Sequence, residues 1–466
     1  VRGCTCQTIY GQIQFDQIFT PLRRGFMTIL TYSDIRAACP QARSLRLAAA
    51  DLNGIPRAKR KPLPAGASQV AGRYPYSALN VDILGHDIDG SPLVFATGDA
   101  DAELLPTGRI WPMPWLANPA ALVPVSMYHQ DGTAFAGDPR HALVQAVSRL
   151  AAIGVTPVIG VEYEFFLLDD DHRPAAPPGM PARPYAGDVL CLAQLDAFDA
   201  YLSDLYAACA DMDIPAEVAS SESAPGQFEI TLGHLSDPLR AADNAWGFKL
   251  AAKGIARKHG INACFMAKPD PRVSGSGLHC HISLIDRQGR TVFDDGRASG
   301  TPALQHAIAG CLEALPDSTG ILAPYPNSFD RFVADAHAPY GVAWGYDNRT
   351  VALRVPPGPR RLEHRVAGAD ANIYLLLAVV LGAMARGLDA GRTPSAPLTG
   401  NAYDQPLAEI PRTQSDALSR MEASNILPDL LPPMLIDNFL RTKRQEARDL
   451  SALSSSTAQD ALITTV

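Results

Sequence analysis

Cysteine is scarce and scattered in this chain of 466 residues. Its 8 cysteines form no CxxC pair. A chain this long buries enough apolar surface to need no disulfide staples, so reduced thiols in a cytoplasmic setting are expected. Cys4 and Cys6 stand close together in a ragged N-terminal stretch and read as incidental. Basic blocks are lacking too: Lys59-Arg60-Lys61 is the densest, and 40 Lys+Arg against 48 Asp+Glu leave a net charge of −8. Nucleic acid is thereby excluded as the main partner. No apolar run reaches the ~18–20 residues that a membrane span needs. The longest, Ile373 to Ala385, reads as a buried helix. Residues 1–26 carry no secretory pattern. They begin with Val and read as an extension left by an alternative or misplaced start, outside the working protein. With 47% hydrophobic and 19% charged residues, a mostly disordered chain is excluded as well.

What is present is a long alternation of strands and helices. Residues 27–50 read as a helix, and text from Ser44 to Val125 reads as short strands among Gly/Pro loops. Helices are expected at 138–153, 194–212, 237–258, 301–314, 369–387 and in the 413–453 tail, with 454–466 loose. Strands are expected at 158–168, 226–232, 277–285, 351–355 and 361–366. These strands alternate polar and apolar residues, which favours an α+β fold whose sheet lines a cleft.

The charges inside the strands carry the chemistry. Residues two apart share a strand face. Glu162 and Glu164 therefore point together, as do His279 with His281 and Arg361 with Glu363 and Arg365. Glu229 lies within a strand and Glu222 just before it. Carboxylates crowded on one face repel unless cations neutralise them. Carboxylate-rich ligation with an imidazole suits Mg²⁺ or Mn²⁺, and neighbouring arginines suit phosphate and carboxylate groups. A single ExE or HxH is more often a solvated face, so spacing alone leaves a metal cleft and a solvated face both open.

The motifs VEYEFF (161–166), ESAPGQFEI (222–230), FMAKPDPRVSGSGLHCHISL (265–284), NSFDRF (327–332), NRTVALRVP (348–356), RRLEHRVAGADANIYL (360–375) and GNAYDQP (400–406) occur in order. Together they resemble the glutamine synthetase superfamily, from roughly residue 80 to the tail. The tail text GNAYDQPLAEIP and TKRQEARDL resembles the γ-glutamylputrescine synthetase branch. The resemblance implies a small β-grasp domain over 27–130 and a catalytic domain over 131–466, its curved antiparallel sheet backed by helices. The Pro-rich text near 106–124 is the expected path between them. It also implies two or three metals per site, one on Glu164, Glu222 and Glu229 and another on Glu162, His279 and Glu363. His281, Glu217, Ser283, Arg349, Arg354 and Arg361 would serve ATP. Arg331 and Arg365 would hold the glutamate α-carboxylate, with Gly275 near its amino group. The family assembles as a dodecamer of two hexameric rings.

Departures from the family pattern concern the second nucleophile. Ammonia-using members carry a flap Glu six residues after the position of Arg331, and here that residue is His337. Their small-domain Asp lies in an F-D-G-S-S-type loop, whereas the comparable text here is ALNVDILGHDIDG (78–90). An ammonium pocket needs such acids, so an ATP-dependent ligase joining glutamate to an organic amine is favoured over ammonia. A non-catalytic homologue is the remaining alternative. His337 could take the proton of the attacking amine or only shape the flap. Tyr76, Trp111, Trp115 and Tyr128 are possible walls for the amine. Ser274 stands where relatives have Asn beside the glutamate, Gly358 where some carry Lys, and Tyr403 where some are adenylylated.

Overall fold

The computed structural model describes residues 29–180 and 187–466. The extension expected over 1–26, with Cys4 and Cys6, lies outside them. The described cysteines, Cys39, Cys191, Cys209, Cys264, Cys280 and Cys311, are free thiols.

A first sheet of six strands comprises β1 (Ser44–Ala50), β2 (Pro56–Pro62), β3 (Gly72–Pro75), β4 (Asp101–Pro106), β5 (Trp111–Pro112) and β6 (Ala120–Tyr128). Its order is β2-β1-β6-β4-β3, with β5 paired to β6 and a parallel pair, β1 and β6, at its centre. Two expectations change here. The helix expected over 27–50 covers only Tyr32–Ala38, where Thr31 and Asp34 form a capping box. Residues 44–50 form β1, whose Leu45, Leu47 and Ala49 face one core while Ala48 and Ala50 face the other. A strand buried on both faces loses the alternation that marks a strand, so its Ala-rich text reads as helix. The Pro-rich text of 106–124 is no path between sheets, because it contributes β5 and the start of β6.

The second sheet has eight strands: β7 (Val155–Leu168), β8 (Ala216–Ser221), β9 (Gln227–Leu235), β10 (Asn262–Cys264), β11 (Leu278–Asp286), β12 (Trp344–Tyr346), β13 (Leu353–Val355) and β14 (Leu362–His364). The order is β12-β13-β14-β11-β7-β9-β8, with β10 on β7, and every pair but β12–β13 is antiparallel. Register shifts between Ile159 and Val161 and between Ala216 and Val218 mark bulges that bend this sheet.

One face of the second sheet packs on helices. The Ile373–Ala390 helix is long and apolar enough to cross a membrane, yet 78% of it is buried inside the protein. It crosses the Pro302–Leu322 helix at Gly310 and Gly387. A Cβ on Gly310 would lie 2.1 Å from the Ala383 carbonyl oxygen, so only glycine permits this approach. The Pro302–Leu322 helix runs past the expected end at 314 and through Pro316. Residues 454–466, expected loose, form a helix over Ser455–Thr465, capped by Ser454 and anchored by buried Leu462 and Ile463.

The first sheet is tied to the rest through a buried polar knot on the Pro433–Ser451 helix. Lys443 and Glu446 are both fully buried and lie 2.8 Å apart. Lys443 also donates to Asn53 Oδ1 and sits 3.9 Å over the Tyr325 ring. Glu446 accepts from Asn53 Nδ2 at 2.7 Å and from the Ile83 N–H at 2.8 Å. Removing one partner of a buried ion pair leaves an uncompensated charge. Glu446→Ala should therefore lower unfolding free energy by about 3–5 kcal/mol, read in a denaturant titration. A loss under about 1 kcal/mol, the size of an exposed pair, would show that the knot does not hold the two sheets together.

Candidate active site

Strand register builds the site. Val161, Tyr163 and Phe165 of β7 turn into the core, which leaves Glu162 and Glu164 on the opposite, cleft face. Glu164 lies directly across from Glu229 on β9, and Glu162 across from His279 on β11. His281 lies across from Glu363 on β14, which in turn opposes Arg354 on β13. A belt of carboxylates, imidazoles and guanidinium thus runs across five strands. Ligand atoms of Glu162, His279 and Glu363 fall within 4.8 Å of one another, as do those of Glu164, Glu229 and His279. Glu222 is not in either group, although its charge is felt by Glu229.

Hydrogen bonds fix this belt. His281 accepts from Arg361 Nε on Nδ1 at 3.2 Å, so its Nε2 carries the proton given to Glu162 Oε1 at 2.9 Å. His279 Nδ1 lies 3.3 Å from the other Glu162 oxygen. Glu164 accepts the Gly277 N–H at 2.7 Å. A Cβ on Gly277 would lie 2.9 Å from His279 Nε2, 3.2 Å from an Arg331 nitrogen and 3.4 Å from Glu164 Oε2. Glycine therefore keeps open a small space bounded by an imidazole, a guanidinium and a carboxylate. Glu363 accepts from Arg354 at 2.9 Å and from Arg365. Arg331 donates to the Val366 carbonyl at 3.0 Å. The Nε atoms of Arg331, Arg354 and Arg365 are buried without a partner.

The electrostatics divide the acids. Burial, then the charge of Glu164, raises Glu222 to about 7. Burial and the charges of Glu162, Glu164 and Glu222 raise Glu229 to about 9. Burial acts on Glu162 and Glu363 too, but the imidazole hydrogen bonds on Glu162 and the Arg365 charge beside Glu363 outweigh it and hold both low. Acids pushed apart in this way are a mark of a functional cleft. The donor set, mostly carboxylate with one imidazole, fits a hard divalent cation, which would offset the burial and mutual repulsion that raise Glu222 and Glu229.

The other expected residues lie as follows. Ser283 follows His279 and His281 on the same face of β11. Glu217 falls at the β8 bulge, exposed, with its carboxylate against Gly233. Arg349 is exposed, and its charge reaches Glu222 and Glu229. Gly275 accepts from Gln227 Nε2 at 3.0 Å through its carbonyl. The Ser274 hydroxyl, standing in for an amide, pairs with that of Ser223 at 2.8 Å. His337 is exposed at the tip of the 333–338 segment with φ 53°. Gly358 adopts φ 85°, a conformation that suits glycine and not Lys. The Tyr403 hydroxyl is buried, which removes it from enzymatic modification in this conformation.

The suggested amine walls pack as follows. Trp111 is core and packs on Trp246, Trp115 packs against Gly254, Tyr76 on Phe135 and Tyr128 on His141. In the 78–90 loop, Asp82 is fully buried and caps the turn at Leu84 and His86. His234 was missed by sequence reasoning. Its ring is 6.0 Å from that of His281, and burial, with His281 and Arg361 nearby, pulls its pKa down to about 4. The β9 bulge beside Gly233 re-aims it, and a bulge leaves no periodic signal in the sequence.

Sequence comparison now places this geometry. The pattern described as "Glutamine synthetase, catalytic domain" matches residues 136–460, and the chain belongs to the glutamine synthetase family. The gamma-glutamylputrescine synthetase PuuA of Escherichia coli (strain K12) is 36% identical over 381 residues, covering 79% of this chain and 80% of that protein. The glutamine synthetase of Thermus thermophilus is 32% identical over 337 residues, covering 69% and 74%. The gamma-glutamylethanolamide synthetase GlnA4 of Streptomyces coelicolor is 33% identical over 340 residues, covering 72% of each. Among solved structures, "Apo GmaS without ligand" matches with a TM-score of 0.79 at 25% identity, covering 92% of this chain and 98% of that one.

The raised acids give a pH prediction for the metal-free protein. Their folded values, about 7 for Glu222 and about 9 for Glu229, lie above the ordinary 4.5. Their contribution to stability is therefore full below pH 4.5 and is lost as pH rises through 7 and 9. In the presence of chelator the melting temperature should fall across this range, and Mg²⁺ should raise it most at the alkaline end. Glu229→Gln should flatten the alkaline part of the curve. An alkaline slope that is unchanged in this variant would mean that Glu229 is not the titrating group.

Proposed function

We propose that the protein is an ATP-dependent ligase that joins the γ-carboxylate of L-glutamate to an organic amine through a γ-glutamyl phosphate. The observation that carries this reading is the belt formed by Glu164–Glu229, Glu162–His279 and His281–Glu363–Arg354 across one sheet face. The relative that makes γ-glutamylputrescine, 36% identical, supports an organic amine. His337, where ammonia-using members have Glu, supports it from the sequence side.

In this reading Glu164, Glu222 and Glu229 hold one Mg²⁺ or Mn²⁺, and Glu162, His279 and Glu363 another, with room for a third. When bound, such cations draw charge off the ATP phosphates and stabilise the charge that develops in phosphoryl transfer. The chain's own groups do the rest. Arg349, Arg354 and Arg361 meet the phosphates, with His281, Glu217 and Ser283 on the nucleotide side. The buried Arg331 and Arg365 present unpartnered N–H groups to the substrate α-carboxylate, and Gly275 lies by its amino group. The glutamate γ-carboxylate oxygen attacks the γ-phosphorus of ATP, and ADP leaves. The amine nitrogen then attacks the acyl carbon, inorganic phosphate leaves, and the ammonium proton passes to His337 or to solvent. The same reading carries a β-grasp domain over 27–130, a catalytic domain over 131–466, a two-ring dodecamer and a cytoplasmic setting. The strands of the two sheets fall on either side of that domain boundary.

The test is phosphate release from ATP with glutamate and Mg²⁺, scanned over ammonium, putrescine, spermidine, ethanolamine, methylamine and an aromatic amine. Turnover with an organic amine, at concentrations where ammonium is inert, is expected. Turnover with ammonium alone would make the protein a glutamine synthetase, and silence with every amine would favour the non-catalytic homologue. If His337 is the base, His337→Ala should cut the amine-dependent rate by about 100-fold. It should also abolish the matching limb of the pH profile while sparing ADP formation without amine. Equal amine-dependent rates would leave His337 as a flap residue only.

A further inference from the structure

The Pro238–Lys258 helix carries a charge imbalance outside the belt. Lys249, Lys253 and Arg257 recur at every fourth residue and so share one helix face, where like charges repel. The helix's other cations are paired, Arg240 with Asp213 at 2.6 Å and Lys258 with Asp204 at 2.9 Å. The three on this face form no ion pair among the described residues. Lys249 Nζ donates to the Ala369 carbonyl and Lys253 Nζ to the Thr465 carbonyl, each at 3.1 Å. A carbonyl oxygen satisfies one of three ammonium N–H groups and cancels no charge.

All three line a cavity of about 330 Å³. Its walls come from three places: residues 53–56 at the turn from β1 into β2, this helix, and residues 464–466 at the end of the last helix. Asp and Glu are absent from the lining, and no belt residue belongs to it. Counting a terminal carboxylate at Val466 against the three cations still leaves a positive excess. Trp246 adds a flat apolar wall, fixed by its indole N–H on the Gly54 carbonyl at 2.8 Å. The lysines respond to the missing counter-charge. Burial, against the pull of Asp370, lowers Lys249 to about 8. Burial and the charges of Lys249 and Arg257 lower Lys253 to about 7. An anion between them would hold both ammonium groups charged.

We propose that this cavity binds a compact dianion with phosphate or carboxylate oxygens, held by Lys249, Lys253 and Arg257, which clamps the β1–β2 turn and the last helix onto the Pro238–Lys258 helix. Two negative charges balance the excess on the walls better than one. Hydrogen bonds from ammonium and guanidinium groups to such oxygens are of the strong, charge-assisted kind. The walls come from segments far apart in sequence, so the site exists only in the folded chain, and its occupant stabilises the fold by mass action. The site is independent of which amine the belt serves.

The experiment titrates inorganic phosphate and succinate separately into the full-length protein at pH 7.5 and constant ionic strength, with acetate as the monovalent control. Melting temperature and tryptophan fluorescence are the readouts. A saturable rise in melting temperature with at least one dianion is expected, and none with acetate. Phosphate alone, succinate alone or both each support the site and name the class of oxygen acid it takes. Lys253→Met, which keeps the stem and removes the charge, should raise the apparent Kd by about 10–100-fold, the range for losing a hydrogen bond to a charged group. Arg257→Met should weaken binding as well, and because Arg257 is exposed it carries the test should Lys253→Met fail to fold. Arg361→Met, which strips a guanidinium from the belt, should leave the response unchanged. No saturable response to either dianion overturns the inference, and so does an equal response to acetate. A response kept in Lys253→Met and Arg257→Met but lost in Arg361→Met would place the anion in the belt and overturn it too.

Discussion

Mutual repulsion among Glu162, Glu164 and Glu229 on one sheet face and Glu222 just past the end of β8 is the constraint on which the rest of this structure depends. Four acids gathered at this spacing raise the cost of ionising one another, and burial adds to it. The protein answers in two ways. Glu162 is hydrogen-bonded by two imidazoles and Glu363 is held by two arginines, so both stay ionised. Glu222 and Glu229 have the weak opposing charge of Arg349 and are pushed toward protonation. The cleft is therefore satisfied at one end and deficient in positive charge at the other.

Holding that arrangement takes a stiff support. Glu162, Glu164 and Glu229 sit on strands whose alternate residues are core, Val161, Tyr163 and Phe165 on β7 and Phe228 and Ile230 on β9, and the histidines of β11 are backed likewise by Leu278, Cys280 and Ile282. Slipping β7 or β9 by one residue would put an acid into the core and an aromatic ring into the cleft, so the hydrophobic face fixes the polar one. Behind the sheet, helices meet at distances that only glycine allows. A buried ion pair adds little net stability against an apolar alternative, so the Lys443–Glu446 knot is better understood as fixing where the first sheet docks. A group that must be matched by Asn53 and Ile83 tolerates one docking position.

Much of this was legible in the sequence, and the failures have physical causes. Period-two alternation put Glu162 with Glu164 and His279 with His281 on shared faces because β7 and β11 are regular and buried on one side only. It failed at β1, where Ala48 and Leu47 are both buried and no polar face remains to mark the strand. It failed again at His234, because the extra residue in β9 changes which way the following side chains point. The helix over Ser455–Thr465 was obscured by its serines, although Ser454 is the cap that starts it. Pairing between strands could not be read at all. That Glu164 meets Glu229 and that Glu363 lies between His281 and Arg354 are facts of register, which depend on contacts distant in sequence.

Rigidity and adaptability are divided between the sheet and the flap. The belt residues are set in strands, and their positions follow from packing on both sides. Residues that depart from the family pattern lie outside that framework: His337 on a pinned but exposed segment, Ser274 in the loop before β11, and the 78–90 loop docked on the last long helix. Asp82, in that loop, is spent on capping its own turn and on Gln445, so the loop is shaped by its attachment to the helix. Substitutions at an exposed tip cost little stability, whereas a change in the belt would strand a charge in the sheet. The sheet thus keeps its crowded acids, imidazoles and guanidinium groups fixed, while sequence change is tolerated on a segment that the core does not constrain.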